Sequence, residues 1–290
     1  MDQAEQLRIL KTSQQSRPLA RVITVTSGKG GVGKSNTSIN LAIQFRKMEK
    51  KVIILDADFG LANIEIMFGA VPKHNLCDLI YQGKNIKEII TWGPMDVGFI
   101  SGGSGIAGMS NLSRDYLNYI IQNLTELDAI ADVIIVDTGA GISDAVLEFL
   151  VASGEILLIT TPEPTSITDS YSLLKALYRH PRFDENATKV KMIANRVSKE
   201  PEGEVLFGKL NAVVERYLKI PMIYLGSVPE DVQLSRAVMQ QVPVSLQNPG
   251  AKSTAAYERI ANKLLGKEEE ERQPKRGMAA FFSHIISGRK

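Results

Sequence analysis

The chain has 290 residues, of which 44% are hydrophobic and 23% are charged, so it is not wholly disordered, collagen-like or coiled-coil. Its 34 Lys and Arg against 32 Asp and Glu leave a net charge of +2, which gives no global case for nucleic-acid binding. The single cysteine, Cys77, excludes an internal disulfide and a four-thiolate cluster within one chain, and it favours a reducing cytosolic compartment.

The pattern changes twice along the chain and predicts three parts. Residues 1–20 are polar, residues 21–266 alternate short apolar runs with amphipathic stretches, and residues 267–290 combine a charged linker with a short amphipathic tail. The N-terminus has neither the basic region nor the apolar region of a signal peptide, and no apolar stretch reaches the roughly 20 residues that span a bilayer. Any membrane contact is therefore expected at the surface.

The central part predicts an α/β fold. Strands are expected at Val22–Thr26, Val52–Leu55, Val97–Ile100, Val133–Val136, Ile156–Thr160, Val190–Ala194 and Ile223–Val228. Helices are expected between them, including Ser35–Met48 and Leu112–Leu127. Strands that are apolar throughout are buried on both faces, which indicates a doubly wound, mostly parallel sheet with helices on both faces. Ligands bind such sheets at the carboxyl ends of the strands.

A phosphate-binding loop follows the first predicted strand. Residues 28–35 fit the pattern G-x-x-x-x-G-K-[ST] between a strand and a helix. Glycines let backbone N–H groups converge on phosphate oxygens, and the helix N-terminus adds its dipole. Lys34 is expected to reach the β and γ phosphates, and the Ser35 hydroxyl to bind Mg²⁺. The nucleotide contacts expected here are Lys29, Gly30, Gly31, Val32, Gly33, Lys34, Ser35 and Asn36.

The second lysine of this loop, Lys29, carries a family resemblance. The run Lys-Gly-Gly-Val-Gly-Lys-Ser resembles the deviant Walker A loop of the MinD/ParA family of P-loop ATPases. The resemblance implies an ATP-dependent homodimer in which Lys29 contacts the nucleotide of the partner subunit. A solvated loop cation is the plain alternative. Asn36 departs from the threonine often found at its position in the family.

Carboxylates end two of the predicted strands. Asp56 and Asp58 follow Val52–Leu55 and point the same way in an extended segment, and Asp137 ends the run Val133–Val136. Such groups at a triphosphate hold Mg²⁺ and orient the attacking water, so Asp56 and Asp137 are expected at the metal and Asp58 in hydrolysis. The resemblance places Asp58 in switch I and the Thr-Gly-Ala-Gly run after Asp137 in switch II. The alternative is ordinary turn and cap chemistry.

Two further strand ends are candidates for binding the adenine. Asn195 and Arg196 follow one strand, and Pro229, Glu230 and Asp231 follow another. The asparagine amide can accept from the purine amino group and donate to a ring nitrogen. The guanine-reading pattern Asn-Lys-x-Asp is absent from the sequence, which favours ATP over GTP. Ordinary turn residues at strand ends are the alternative.

The tail has an amphipathic pattern. On a helical wheel its large apolar residues share one arc of about 140°. These residues are Met278, Phe281, Phe282, Ile285 and Ile286. With basic flanks, this is typical of a helix that lies on a membrane surface, the alternative being a helix docked on its own core. Because two tails on one dimer bind more tightly than one, lipid binding is expected to follow ATP-driven dimerisation without a change in the tail itself.

The N-terminal residues narrow the resemblance. The start Asp-Gln-Ala-x-x-Leu-Arg, with a MinD-like core and an amphipathic tail, resembles the flagellar FlhG (YlxH, FleN) branch of the family. That resemblance implies a cytoplasmic ATPase that cycles on the inner face of the cell membrane and controls flagellar number and placement. It also implies two partners, the GTPase FlhF and proteins of the flagellar switch complex. The residues carried over for FlhF are Asp2, Gln3, Ala4, Leu7 and Arg8.

Three other functions compete with this hypothesis. A ParA-type partition ATPase that binds DNA needs a basic surface, whereas the concentrated cations flank an apolar helical face. An electron-transfer ATPase like the nitrogenase iron protein needs two cluster cysteines per subunit, and only Cys77 exists. A nucleotide-locked scaffold that hydrolyses nothing would be distinguished by ATP turnover.

Overall fold

The computed structural model describes residues 19–58, 63–102, 123–266 and 277–287. The N-terminal residues from Asp2 to Arg8, the charged linker and most of the predicted helix Leu112–Leu127 lie outside the described residues. Among the described residues, no helix combines the length and the apolar character needed to cross a bilayer.

Eight strands form one sheet in the described part of the chain. They are β1 (Arg21–Thr26), β2 (Val52–Ala57), β3 (Thr91–Trp92), β4 (Gly98–Ile100), β5 (Val133–Thr138), β6 (Glu155–Thr160), β7 (Lys189–Val197) and β8 (Met222–Pro229). Their order is β3-β4-β2-β5-β1-β6-β7-β8, and every pair is parallel except β3 with β4. The predicted parallel sheet is confirmed, and the short antiparallel edge β3 is the strand that the pattern does not predict.

Helices cover both faces of this sheet. They are α1 (Lys34–Lys47), α2 (Asn63–Phe68), α3 (Leu76–Tyr81), α4 (Ile86–Ile89), α5 (Leu127–Ile130), α6 (Asp144–Ala152), α7 (Pro164–Tyr178), α8 (Glu200–Leu218), α9 (Val232–Met239), α10 (Val244–Gln247), α11 (Lys252–Leu265) and α12 (Met278–Ser287). The residues of one strand alternate between the two sides. Ile54 packs in the core beneath α1 and α11, and its neighbours Ile53 and Leu55 pack in the core that includes α6 and α12. Burial on both faces is why the strand is apolar throughout.

The tail helix α12 is part of the core. Met278, Phe281, Phe282 and Ile285 are each at most 3% exposed. The ring of Phe281 stacks on Phe149 of α6 with the ring centroids 6.1 Å apart. The docked alternative is therefore the arrangement observed, and the side chain of Ile286 lies outside the described residues.

This docking corrects one expectation about the membrane. A tail buried in the core must undock before its apolar face meets lipid. Lipid binding by this tail would therefore require a change in the tail, and two tails on one dimer would not be sufficient by themselves. The amphipathic pattern does not distinguish the two outcomes, because a helix presents the same apolar arc to a sheet face and to a bilayer.

Candidate active site

The phosphate-binding loop joins β1 to α1 and leaves the first N–H groups of the helix open. Gly33 stands at the N-cap with φ of 98° and Gly31 has φ of 73°, a region that favours glycine. No side chain caps α1, so its first backbone donors remain for an anion. Gly28 packs against the backbone of Asp169 in α7, where a Cβ would clash. The loop thus has the backbone geometry that phosphate binding requires.

Lys34 and two carboxylates share the space beneath this loop. The Lys34 side chain is buried, and this burial lowers its pKa, while Asp137 and Asp58 oppose the shift. An ammonium with little water around it and carboxylates within reach is suited to binding phosphate oxygens. The contact of Lys34 with the β and γ phosphates stays a prediction.

Asp56 and Asp137 are neighbours on adjacent strands. They are paired in register between β2 and β5. Burial, with the Asp137 charge beside it, raises the pKa of Asp56 to about 8. Burial raises the pKa of Asp137 to about 6, against hydrogen bonds from Ser35 and Ser38. A divalent cation beside such a pair would offset their repulsion.

The donor set fits Mg²⁺. Ser38 Oγ donates to Asp137 Oδ1 at 2.9 Å, whereas Asp137 Oδ2 is buried and has no hydrogen-bond partner. Hydroxyl and carboxylate oxygens are the ligands that Mg²⁺ takes, usually with several waters. Ser35 and Asp137 would hold the ion. Asp56 accepts from the backbone N–H of Asp58 at 3.1 Å and of Ile64 at 3.4 Å, so it also shapes the segment after β2.

Asp58, in the predicted switch I segment, faces the predicted switch II segment. Its Oδ1 is 3.6 Å from the point where a Cβ on Gly139 would stand, so it faces the switch II segment after β5. Its Oδ2 accepts from Asn63 Nδ2 at 3.4 Å. The sequence pattern does not reveal this contact, because it depends on where the start of α2 lies relative to the end of β2.

The switch II segment is tied to the base of the phosphate-binding loop. Gly141 N donates to the Ser27 carbonyl at 3.0 Å, and Thr138 Oγ1 donates to the Val25 carbonyl at 3.0 Å. Gly141 has φ of 88°, which explains a glycine here. Ser143 then caps α6. A shift at the phosphates can therefore pass directly to the start of α6.

Lys29 contacts α7 and the residue before it. Its Nζ lies 2.5 Å from Glu163 Oε2 and 2.8 Å from Thr165 Oγ1, and Ser27 Oγ holds its carbonyl at 2.7 Å. The ammonium lowers the pKa of Glu163. Glu163 and Thr165 are further site residues that belong to no sequence motif. Their only signal is that they follow β6, the strand that pairs with β1.

The first pair of candidate adenine-binding residues, Asn195 and Arg196, lies near the end of β7. Asn195 Nδ2 donates to the Val32 carbonyl in the phosphate-binding loop at 2.7 Å, while its Oδ1 is buried and has no partner. The amide therefore braces the loop and keeps one acceptor for a purine amino group. Arg196 is exposed beside it, with φ of 55°.

The second group of candidate adenine-binding residues mainly makes contacts within the fold. Asp231 accepts from Gln233 N at 2.9 Å, which caps α9, and from Ser253 Oγ at 2.8 Å at the start of α11. Glu230 N donates to the Val197 carbonyl at 3.0 Å, and Pro229 ends β8. The Asp231 carboxylate thus joins two helices, and its predicted contact with adenine stays a prediction.

Comparison with known proteins agrees with this site. The ParA family model described as NUBPL iron-transfer P-loop NTPase matches residues 18–265. The antiactivator FleN of Pseudomonas aeruginosa is 38% identical over 244 residues, covering 84% of this chain and 86% of FleN. The flagellum site-determining protein YlxH of Helicobacter pylori is 32% identical over 270 residues, covering 92% and 90%. The structure of MinD from Pyrococcus horikoshii with Mg-ADP has a TM-score of 0.66 at 19% identity, covering 88% of this chain and all of that one.

The fold and the phosphate site define a P-loop ATPase of the MinD/ParA type, with ATP and Mg²⁺ as its cofactors. Within that family, the chain belongs to the FlhG branch, which includes FleN and YlxH. The predicted family, fold, cofactors and ATPase activity are confirmed.

Proposed function

We propose that this protein is a nucleotide-controlled membrane switch that regulates flagellar number and placement. The observation that carries the proposal is the double role of α6. This nine-residue helix starts directly after the switch II segment, and its Phe149 stacks on Phe281 of the tail. One short helix therefore joins the phosphate site to the segment with membrane-binding character.

The first step is ATP-dependent dimerisation through Lys29. Glu163 and Thr165 bind the Lys29 ammonium and so restrict the directions that its side chain can take. A long side chain that is already ordered loses less entropy when it binds a second nucleotide. The triphosphate would close the dimer because its γ phosphate adds charge where Lys29 of the partner arrives.

The second step is release of the tail. Docking buries four large apolar side chains, each worth about 1.5–3 kcal/mol, or roughly 6–12 kcal/mol together as an upper bound. A membrane must replace this burial, so the docked tail is the inactive state. A movement of α6 after ATP binding would weaken the contact of Phe149 with Phe281 and shift the tail towards lipid.

The flagellar role is supported by the relatives. FleN is named an antiactivator, and YlxH is named a flagellum site-determining protein. We infer that the N-terminal residues Asp2–Arg8 stimulate FlhF and that a further surface meets the flagellar switch complex. The N-terminal inference depends on the family motif and on the chemistry of Gln3 and Arg8, which suit a water and a phosphate.

The membrane step is tested on the full chain by hydrogen exchange and by sedimentation with vesicles of phosphatidylglycerol and phosphatidylcholine. With ATP we expect faster exchange at residues 278–285 in solution and strong sedimentation with vesicles. With ADP we expect slow exchange and weak sedimentation. Equal exchange and equal sedimentation with both nucleotides would contradict the switch. Salt-sensitive retention on DNA, with no binding to vesicles, would favour a partition ATPase.

A further inference from the structure

A cavity opens at the end of the sheet where β2 and β4 begin. Its volume is about 200 Å³, and its lining includes Arg46, Lys51, Trp92, Asp96 and Ile130. This is the end opposite to the phosphate site, because the phosphate-binding loop follows the carboxyl end of β1. The cavity therefore has no part in nucleotide binding.

Two large apolar side chains are exposed beside the cavity. Trp92 is 54% exposed and Met95 is 41% exposed. The Trp92 ring lies over Gly98, 3.2 Å from the point where a Cβ would stand. An exposed Trp on an edge strand is unfavourable in water, and its amphipathic ring is suited to the boundary between lipid headgroups and acyl chains.

The turn that contains Met95 is bound by the Arg46 side chain. Met95 and Asp96 both have φ of 55°, which is uncommon for residues with a side chain. Arg46 Nε donates to the Met95 carbonyl at 2.8 Å, and Arg46 Nη2 lies 3.7 Å from Asp96 Oδ2. A strained turn that keeps an apolar side chain in water points to a partner for that side chain.

The charge beside this turn is weakly positive. Arg46, Lys47, Lys50 and Lys51 stand within six consecutive residues. Glu49, Asp96 and Asp132 offset three of these four charges, which leaves one positive charge among these seven residues, and Asp128 of α5 lies at the same end of the sheet. Electrostatic attraction to an anionic surface is then modest, and the apolar side chains must provide most of the binding.

The tail helix begins next to this cavity. Ile130 of α5 lines the cavity, and Asp128 of the same helix accepts from Met278 N at 2.9 Å. The end of α11 lies at the same end of the sheet, where Arg21 of β1 donates to the Leu264 carbonyl at 2.5 Å. A tail inserted in a membrane would therefore bring this end of the sheet towards the same membrane.

We propose that Arg46, Lys51, Trp92 and Met95, here named the Trp92 surface, form a second contact with an anionic membrane. The phosphate group of a lipid would lie at the cationic mouth of the cavity, with Trp92 and Met95 in the interface. The inference depends on the membrane role proposed above and names a surface for it outside the tail.

The chain offers a probe for this contact, because Trp92 is its single tryptophan. The full chain with ATP is mixed with phosphatidylglycerol and phosphatidylcholine vesicles whose acyl chains carry bromine, a quencher of tryptophan emission. We expect a blue shift and quenching on binding, and neither with ATP alone. Unchanged emission from protein that sediments with the vesicles overturns the Trp92 contact alone. Failure to sediment under any condition overturns the membrane role and this contact with it.

Two further arms identify the source of the anion. Vesicles of phosphatidylcholine alone should give weaker binding and a smaller blue shift. Inorganic phosphate without vesicles should leave the emission unchanged. A shift produced by inorganic phosphate alone would overturn the lipid assignment in favour of a site for a free anion.

Substitutions test the same surface by sedimentation. Lys51→Glu and Trp92→Glu should each weaken vesicle binding about fivefold or more, since one basic side chain near an anionic leaflet accounts for about that factor. Trp92→Phe should retain most of the binding. Lys209→Glu makes the same charge change on the exposed face of α8, at the opposite edge of the sheet, and should change binding less than about twofold. Equal effects at Lys51 and Lys209 would overturn the proposal, and thermal melting curves confirm that each variant is folded.

Discussion

The Lys29 ammonium is bound by the Glu163 carboxylate of the same chain, with Nζ and Oε2 2.5 Å apart. The side chain of Lys29 is 35% exposed and that of Glu163 is 52% exposed, so the pair adds little to the stability of the fold. What the pair provides is direction, because a lysine with four rotatable bonds is held beside the phosphate-binding loop. Glu163 thereby becomes part of the proposed dimer site.

The first prediction concerns this pair. Lys29→Ala should remain monomeric with ATP, because no other residue in our proposal reaches the second nucleotide. Glu163→Ala should weaken ATP-dependent dimerisation by about 2–10-fold, the entropy of ordering one long side chain. Analytical ultracentrifugation across protein concentrations, with ATP and with ADP, measures both. Normal dimerisation of Lys29→Ala would remove this lysine from the interface.

The second prediction separates hydrolysis from binding. Asp58→Ala should slow ATP turnover by about 10²-fold or more while leaving nucleotide affinity nearly unchanged, because it removes the group that orients the attacking water. The ATP-bound dimer should then accumulate. Asn63→Ala should slow turnover less, since Asn63 acts through its contact with Asp58 Oδ2.

Turnover and sedimentation velocity of the same samples check this second prediction. Glu65→Gln is the matched control, because Glu65 is a carboxylate on α2 that makes no described contact with Asp58. Full turnover by Asp58→Ala would assign hydrolysis to another residue.

The third prediction concerns the brace between Asn195 and the phosphate-binding loop. Asn195→Ala removes the bond from Nδ2 to the Val32 carbonyl and the buried acceptor Oδ1. It should weaken ATP and ADP about equally, by roughly 5–50-fold, the range for losing one or two buried hydrogen bonds. Asn195→Asp keeps an acceptor but places a buried negative charge opposite the Val32 carbonyl, so it should weaken both nucleotides at least as much as Asn195→Ala. Isothermal titration calorimetry with ATP and with ADP measures both affinities. A loss of affinity for ATP alone would be inconsistent with a contact to the base.

The sequence predicts most of the sheet and the phosphate site for a local reason. Continuous apolar runs such as Val133–Val136 end at chemically distinct residues, and the loop motif is contiguous. The contacts of Lys29 with Glu163 and of Asp58 with Asn63 are not predicted by such local patterns. Glu163 reaches Lys29 because β6 pairs with β1, a long-range relationship that no local pattern contains. Strand β3 is missed because two residues, Thr91 and Trp92, show no periodicity.

The tail shows a second limit of sequence patterns. The same apolar arc that predicts a membrane helix also fits the sheet face beside α6. Only the folded structure shows that the apolar arc packs against the sheet face when no lipid is present. A function that alternates between the two partners needs a contact that can break, and the structure supplies a candidate in Arg182. Its guanidinium donates to Glu148 of α6 and to the His284 carbonyl of α12.

The last prediction uses this contact to release the tail. Arg182→Ala should favour the undocked tail, because it removes a charge-assisted bond between α12 and the rest of the domain while leaving the apolar face of the tail intact. Vesicle binding with ADP should then rise by about 5–20-fold, the equivalent of one such bond, and approach the level seen with ATP. Phe281→Ala is the matched comparison. It should lower the stability of the fold by about 3–5 kcal/mol, because it empties a buried aromatic site. The same ring is also lost from the lipid contact, which offsets the easier undocking, so vesicle binding with ADP should rise less than it does for Arg182→Ala. Thermal melting and sedimentation with ADP distinguish the two variants. If Arg182→Ala binds vesicles no better than the parent protein in ADP, the docked tail is not the barrier to membrane binding, and the link through α6 loses its support.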